Sequence, residues 1–184
     1  MLFTILGPDG TGKTTLAKEL ADNIDVLDYI YFGYNKESRV YRFFDDFVKS
    51  EPKNILNRIF RKVVLFINDL YVFRSAKKNH IISDRCPIDS YINTKIQGRK
   101  LRYYYLLLLK IYPNPDYVIL LEGDSKVIYN RKEEISEYHI SSAIKYYKEY
   151  LLTNKISHSV IDTTKNDITS TYNIAMGRLK QYLK

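Results

Sequence analysis

Short apolar runs closed by Gly, Asp, Pro or Thr punctuate this chain, and stretches with apolar positions at helical spacing lie between them. The runs Leu2–Leu6, 26–32, His80–Ser83, 117–121 and 158–161 are rich in Ile, Val, Leu, Tyr and Phe, which predicts strands. Leu16, Ala17, Leu20, Ala21 and Ile24 mark one helical stripe, and Ile140, Ala143, Ile144, Tyr147 and Leu151 mark another. Residues 55–73 are apolar on more than one face, so a helix there is expected inside the domain. The predicted order is strand, helix, strand, helices, strand, helix, strand, helices, strand, helix. Such alternation predicts an α/β fold with a five-stranded parallel sheet and helices on both faces. In sheets of this kind ligands bind beyond the carboxyl ends of the strands.

Composition narrows the class. The chain has 184 residues, of which 27% are charged and 45% hydrophobic, enough for one domain with its own core. Aromatics at 14%, with only 7 Gly and 5 Pro, argue against disorder. We find no repeat or linker and expect a single domain over 1–184. One cysteine, Cys86, excludes a disulfide framework and a zinc ribbon, and predicts a reduced, cytoplasmic protein. The longest apolar run, 103–109, is far short of a membrane span, so no membrane partner is expected. Residues 1–6 lack the basic leader of a signal peptide and run into a glycine-rich turn.

The net charge of +8 is unevenly placed. Residues 1–50 carry six Lys/Arg against eight Asp/Glu, residues 51–102 twelve against four, and the rest eleven against nine. A basic block predicts an anionic partner: a phosphorylated small molecule, a nucleic acid or an acidic surface. A solvated face that only aids solubility gives the same charge pattern.

The segment Gly7-Pro8-Asp9-Gly10-Thr11-Gly12-Lys13-Thr14 satisfies G-x-x-x-x-G-K-[ST]. Its glycines let backbone N–H groups turn inward around a phosphate, and the helix that follows adds its positive end. Gly7, Gly10, Thr11, Gly12, Lys13, Thr14 and Thr15 are therefore the expected ATP-binding residues. Lys13 is placed on the β- and γ-phosphates and the Thr14 hydroxyl on Mg²⁺. The loop follows an apolar strand and opens an amphipathic helix, the context the motif requires. Asp84 ends another apolar strand, where a second metal-side group is expected. Arg85, next to it, can clamp a second phosphate bidentately. A donor site beside a phosphate-reading Arg suggests transfer to a phosphorylated acceptor.

At these residues the sequence resembles the thymidylate kinase-like branch of the P-loop nucleoside monophosphate kinases. The stretch 7–15, including Asp9, is similar to that family's loop, and Asp84-Arg85 resembles its Asp-Arg-aromatic motif. Residues 115–121 resemble the strand leading to its lid, here about 122–137, and Arg131-Lys132 fall where that lid is basic. The late strand ending Ile161-Asp162-Thr163 resembles the one whose following loop packs near adenine. The resemblance implies a P-loop NTPase three-layer sandwich, ATP with Mg²⁺, and catalytic roles for Lys13, Asp9, Arg85 and Arg131. Because 7–12 holds no basic residue, the extra cation on the moving phosphoryl group must come from elsewhere. Arg131 is the first candidate and Lys132 the second, although Lys132-Glu133-Glu134 also reads as a self-paired helix face. Asp9 either orients an acceptor group or stabilises the turn.

Several positions depart from that family. Cys86 stands where an aromatic usually follows Asp-Arg. Residues 33–36 read Gly-Tyr-Asn-Lys, not the family's Arg-Glu-Pro-Gly. Asn68-Asp69-Leu70 replaces the segment that offers an Arg to thymine, and Asp89 takes a position usually held by a small hydroxyl residue. Phosphate-handling residues are thus kept while base-reading ones are not, leaving Arg39, Tyr71, Arg74, Arg99 and Arg102 as candidates for an acceptor site. His80, His139 and His158 show no metal spacing, and Tyr103-Tyr104-Tyr105 is expected to pack rather than stack on bases. Cys86 beside Arg85 is either a lowered-pKa thiol or a buried small hydrophobe.

The expected activity is ATP-dependent phosphoryl transfer to a nucleoside monophosphate, dTMP or a related acceptor. Two alternatives remain open: a kinase acting on a nucleoside or other small metabolite, and a nucleotide-gated protein engaging nucleic acid through 51–102. Arg85 lies inside that basic block, which favours a phosphorylated small molecule over nucleic acid. The resemblance also admits a homodimer through 55–73, though core burial explains the same pattern.

Overall fold

Five strands pair in parallel in the order β2-β3-β1-β4-β5. They are β1 (Leu2–Leu6), β2 (Leu27–Ile30), β3 (His80–Ser83), β4 (Tyr117–Glu122) and β5 (His158–Asp162). The computed structural model describes residues 1–31, 80–100, 102–112 and 114–183, with seven positions between 56 and 67. The expectations for residues 33–36, 68–70, Arg39, Tyr71 and Arg74, and for most of the helix 55–73 with its dimer interface, lie outside the described residues. So does the end of the predicted strand 26–32. Its beginning is a turn, closed by the Leu27 N–H donating to the Ile24 carbonyl at 2.9 Å.

The alternation of β4 builds both layers. Tyr117, Ile119 and Leu121 join Phe3, Ile5 and Ile82 in a core against α1 (Lys13–Asp22) and α6 (Ile168–Leu179). Val118 and Leu120 face the other way, with Leu6, against α2 (Pro87–Ile96) and α5 (Glu137–Thr153). A strand buried on both faces has no polar side, which is why β4 reads as an unbroken apolar run. Burying side chains of this size stabilises the fold by about 1.5–3 kcal/mol each.

One helix was expected between β3 and β4, but two are present: α2 and α3 (Arg102–Ile111). Gly98, at φ +64°, closes α2 by donating to the Lys95 carbonyl, a left-handed ending that glycine adopts without steric cost. Asp124 caps the short α4 (Ser125–Arg131), accepting from the Lys126 and Val127 N–H groups. Among the described residues no helix is long and apolar enough to cross a membrane. β1 lies at the centre, with β3 and β4 on either side, so three carboxyl ends converge on one crevice.

Candidate active site

The loop after β1 turns back on itself before α1. The Thr11 hydroxyl donates to the Pro8 carbonyl at 2.8 Å and closes the turn. Gly7 passes so close to β4 that a Cβ there would overlap the Leu121 carbonyl oxygen. Gly12 caps α1 at φ 85°, a left-handed conformation that aims the first N–H groups of the helix into the loop. Lys13 lies along this loop, its Nζ donating to the Pro8 carbonyl at 2.9 Å and to Asp9 Oδ1 at 3.2 Å.

Asp9 also faces Arg85, 3.7 Å from its guanidinium. Burial works to raise the Asp9 pKa, but the charges of Lys13 and Arg85 outweigh it and hold the carboxyl below its ordinary value. Two cations thus share one carboxylate where phosphate groups are expected. The Arg85 guanidinium also stands 5.7 Å from the Tyr31 ring centroid.

Thr14 and Asp84 come together as the sequence predicts. The Thr14 hydroxyl donates to Asp84 Oδ2, whereas Asp84 Oδ1 is fully buried and makes no well-aligned hydrogen bond, with the Tyr29 phenol close enough for the carboxylate's charge to push its pKa up. A buried carboxylate oxygen without such a bond, beside a hydroxyl at a phosphate loop, suits Mg²⁺, which takes one or two protein oxygens and completes its shell with phosphate and water. Among the described residues no group of three or more His, Cys, Asp or Glu competes for a metal.

Cavities open on both sides of the loop. The larger, about 570 Å³, is lined by Gly10, Gly12, Thr15, Leu16, Arg131, Thr163 and Asn166. The smaller, about 230 Å³, is lined by Gly7, Asp9, Lys13, Arg85, Asp89, Asn93, Gln97, His139 and Tyr147. Phosphoryl transfer needs a donor and an acceptor brought to one cationic centre, and this loop contributes to both spaces, Gly10 and Gly12 to the larger and Gly7, Asp9 and Lys13 to the smaller.

Arg131 and Lys132, the two cations expected in a lid, separate. Arg131 turns toward the loop after β5, donating to the Thr163 carbonyl at 2.8 Å and to the Thr163 hydroxyl at 3.3 Å, at the wall of the larger cavity. Lys132, one residue on, stands over the phosphate loop: a Cβ on Gly10 would lie 3.4 Å from its Cβ. It pairs with Glu134 at 2.9 Å, so the segment is self-paired as expected, but past the end of α4 and not on a helix face.

Other candidates lie elsewhere. Arg102 donates to the Tyr103 hydroxyl at 3.0 Å on the surface, and neither it nor Arg99 lines the two cavities. His80 and His158 pair with the amino terminus and the Ile156 carbonyl. Cys86 is buried; burial and the nearby Asp89 push its thiol well above the ordinary value, against a reactive thiolate. Residues the sequence reading passed over are Asn93, Gln97 and Tyr147. Asp89, Asn93 and Gln97 recur at intervals of four on one helix face, a polar stripe that names a cavity wall as surely as an apolar one names a core.

A family model described as thymidylate kinase matches residues 5–168. Among solved structures, a thymidylate kinase from Candida albicans is similar at TM-score 0.72 and 17% identity, over 98% of this chain and 91% of that one. A deoxyadenosine kinase from M. mycoides, solved with dCMP and dCDP, gives TM-score 0.65 at 19% identity, over 98% and 100% of the two chains. The same enzyme with dATP gives 0.63 at 20% identity, over the same shares. No curated protein sequence matches. Likeness at these identities shows the fold, the three-layer α/β sandwich of the P-loop NTPases.

Proposed function

This chain belongs to the thymidylate kinase family, and we propose that it moves the γ-phosphate of ATP onto the phosphate of a nucleoside monophosphate. The observation that carries this reading is that one loop lines two cavities, the larger through Gly10, Thr11 and Gly12 and the smaller through Gly7, Asp9 and Lys13, with a second cation, Arg85, on the smaller side only. A phosphate acceptor needs that guanidinium; a water acceptor does not.

In this reading ATP occupies the larger cavity, its phosphates in the N–H groups of the loop 7–12 and its base end between Arg131 and Asn166. Lys13 leaves Asp9 and Pro8 to bind the β- and γ-phosphates. Thr14 and Asp84 would hold Mg²⁺, which when bound neutralises phosphate oxygens as a Lewis acid. Arg85 binds the acceptor's phosphate, and Asp9, freed of its cations, orients the acceptor. Segment 122–137 serves as the lid that keeps water from the γ-phosphate, bringing Lys132 to the moving group. Catalysis of this kind is positional and electrostatic, with no covalent intermediate on the protein.

The test is a transfer screen with ATP and Mg²⁺ over nucleoside monophosphates, nucleosides and sugar phosphates, with products identified directly. Formation of a nucleoside diphosphate supports the reading. Transfer only to nucleosides or non-nucleotides sinks the acceptor assignment and leaves a kinase; ATP hydrolysis without transfer sinks both.

A further inference from the structure

The smaller cavity has a wall that the kinase reading leaves without a task. Asp89, third residue of α2, reaches back to accept from the Cys86 N–H at 2.8 Å, the carboxylate half of a capping box. An exposed Asp or Glu would cap the helix equally well. Here the side chain is only 7% exposed, and a buried carboxylate is tolerated only when it is well hydrogen-bonded. Its other oxygen accepts from the Tyr147 hydroxyl at 2.7 Å, reaching across to α5. Two turns earlier on α5, His139 Nε2 meets Asn93 Oδ1 at 3.0 Å, so α2 and α5 are joined at two levels with Ala143 between.

The N–H that Asp89 holds belongs to the peptide joining Arg85 to Cys86. Its orientation sets the direction in which the Arg85 side chain leaves the tip of β3. That side chain has the Asp9 carboxylate at 3.7 Å and the Tyr31 ring at 5.7 Å, while the Asp89 and Asp84 carboxylates also attract it through their charge. Resting on the kinase reading above, we propose that Asp89 is a positioning residue, tying the backbone of Arg85 to Tyr147 of α5 so that the guanidinium faces the acceptor's phosphate. Binding a dianion bidentately needs the guanidinium plane fixed before the ligand arrives, and two buried hydrogen bonds to one carboxylate supply that. Asp89 itself touches no reacting atom.

Tyr147→Phe is the main test, because it removes one hydroxyl and keeps the ring in the core. We expect a rise of about tenfold in the acceptor KM, the effect of one buried hydrogen bond. The ATP KM and the kcat at saturating acceptor should stay within about twofold. In an Arg85→Ala background the same substitution should change the acceptor KM by less than about twofold. Asp89→Asn, which keeps the shape but only one accepting oxygen, should follow the same pattern. A merely structural Asp89 predicts lowered Tm with unchanged KM, or equal losses in both backgrounds, and either overturns the proposal. A second measurement needs no acceptor: with Mg²⁺ and ADP saturating the donor side, inorganic phosphate is titrated calorimetrically. Binding about tenfold weaker in Tyr147→Phe supports the link to Arg85; equal binding, or none by the unmodified protein, overturns it. Failure of all transfer would sink the kinase reading while the phosphate titration still decides this one.

Discussion

Thr14 donates its hydroxyl to Asp84 across 2.5 Å, joining the first turn of α1 to the tip of β3, while the second Asp84 oxygen stays buried without a well-aligned hydrogen bond. The arrangement is costly without a ligand, since an unsatisfied buried polar group destabilises by about 1–3 kcal/mol. Asp84→Asn keeps the shape and the Thr14 contact while removing the charge. Initial rates across a Mg²⁺ titration should fall by at least about 100-fold, comparable to losing a transition-state electrostatic contact. The Tm without nucleotide should not fall. Chelating Mg²⁺ from the unmodified protein should lower its rate to the background of the variant. A variant with wild-type Mg²⁺ dependence would remove Asp84 from the metal site.

Arg131 and Lys132 are neighbours with different surroundings, so their substitutions should separate. Arg131 lines the larger cavity and is bound to Thr163; Arg131→Ala should raise the ATP KM about five- to tenfold with a smaller effect on kcat. Lys132 stands over Gly10, and Lys132→Ala should lower kcat by about 10- to 100-fold with the ATP KM nearly unchanged. Steady-state kinetics in ATP distinguish them. The reverse pattern would return the phosphate contact to Arg131.

Much of this fold was legible because β4 and the phosphate loop obey local rules. A strand buried on both faces must be apolar throughout, and a loop that wraps a phosphate must have glycines at fixed places. The ends of elements were less legible. The split between α2 and α3 depends on one left-handed glycine, Gly98, in a sequence that otherwise continues a helical pattern. The site divided in the same way. Lys13, Thr14 and Asp84 sit at strand ends and helix starts, where sequence fixes position. Tyr147 sat unnoticed in an apolar stripe, since nothing local shows that its hydroxyl meets a carboxylate 58 residues away. Arg131 is the last residue of a seven-residue helix and Lys132 already leaves it in extended conformation, an end point that sequence does not resolve.

Asp9 predicts a pH effect whose sign follows from its neighbours. Burial raises its pKa, Lys13 and Arg85 lower it by more, and the folded value lies under the ordinary 3.8. A carboxyl depressed in the folded state binds fewer protons there than in the unfolded chain, so its contribution is present above about pH 4. It is lost as pH falls through the folded value. Asp9→Asn should therefore lose stability relative to the unmodified protein at pH 6 and converge with it toward pH 2–3. The side chain is over a third exposed, so solvent screening limits the effect to under about 1 kcal/mol. Thermal melts of both proteins between pH 2.5 and 6 check this, and a difference that grows toward low pH would contradict it.

Gly123 offers a packing test just after β4. A Cβ there would overlap Thr164 Cγ2 and lie 2.9 Å from Thr164 Oγ1 and 3.1 Å from Asp162 Oδ1. Thr164 has little freedom to give way. Its hydroxyl donates to Asp162 Oδ1 at 2.6 Å and accepts from the Asp124 N–H at 3.2 Å, and its own N–H donates to Asp162 Oδ1 at 2.9 Å. Gly123→Ala should therefore destabilise by about 1–3 kcal/mol, the usual range for overpacking. For a chain of this size that lowers the Tm by roughly 2–4 °C per kcal/mol. Thr164→Ser removes the methyl group and keeps every hydrogen bond, so adding it to Gly123→Ala should restore part of the loss, although alone it gains nothing. Differential scanning calorimetry of the two single variants and the double variant measures this coupling. Additive losses would show that the clash is not against the Thr164 methyl group, leaving Thr164 Oγ1 and Asp162 Oδ1 as the atoms that a Cβ meets.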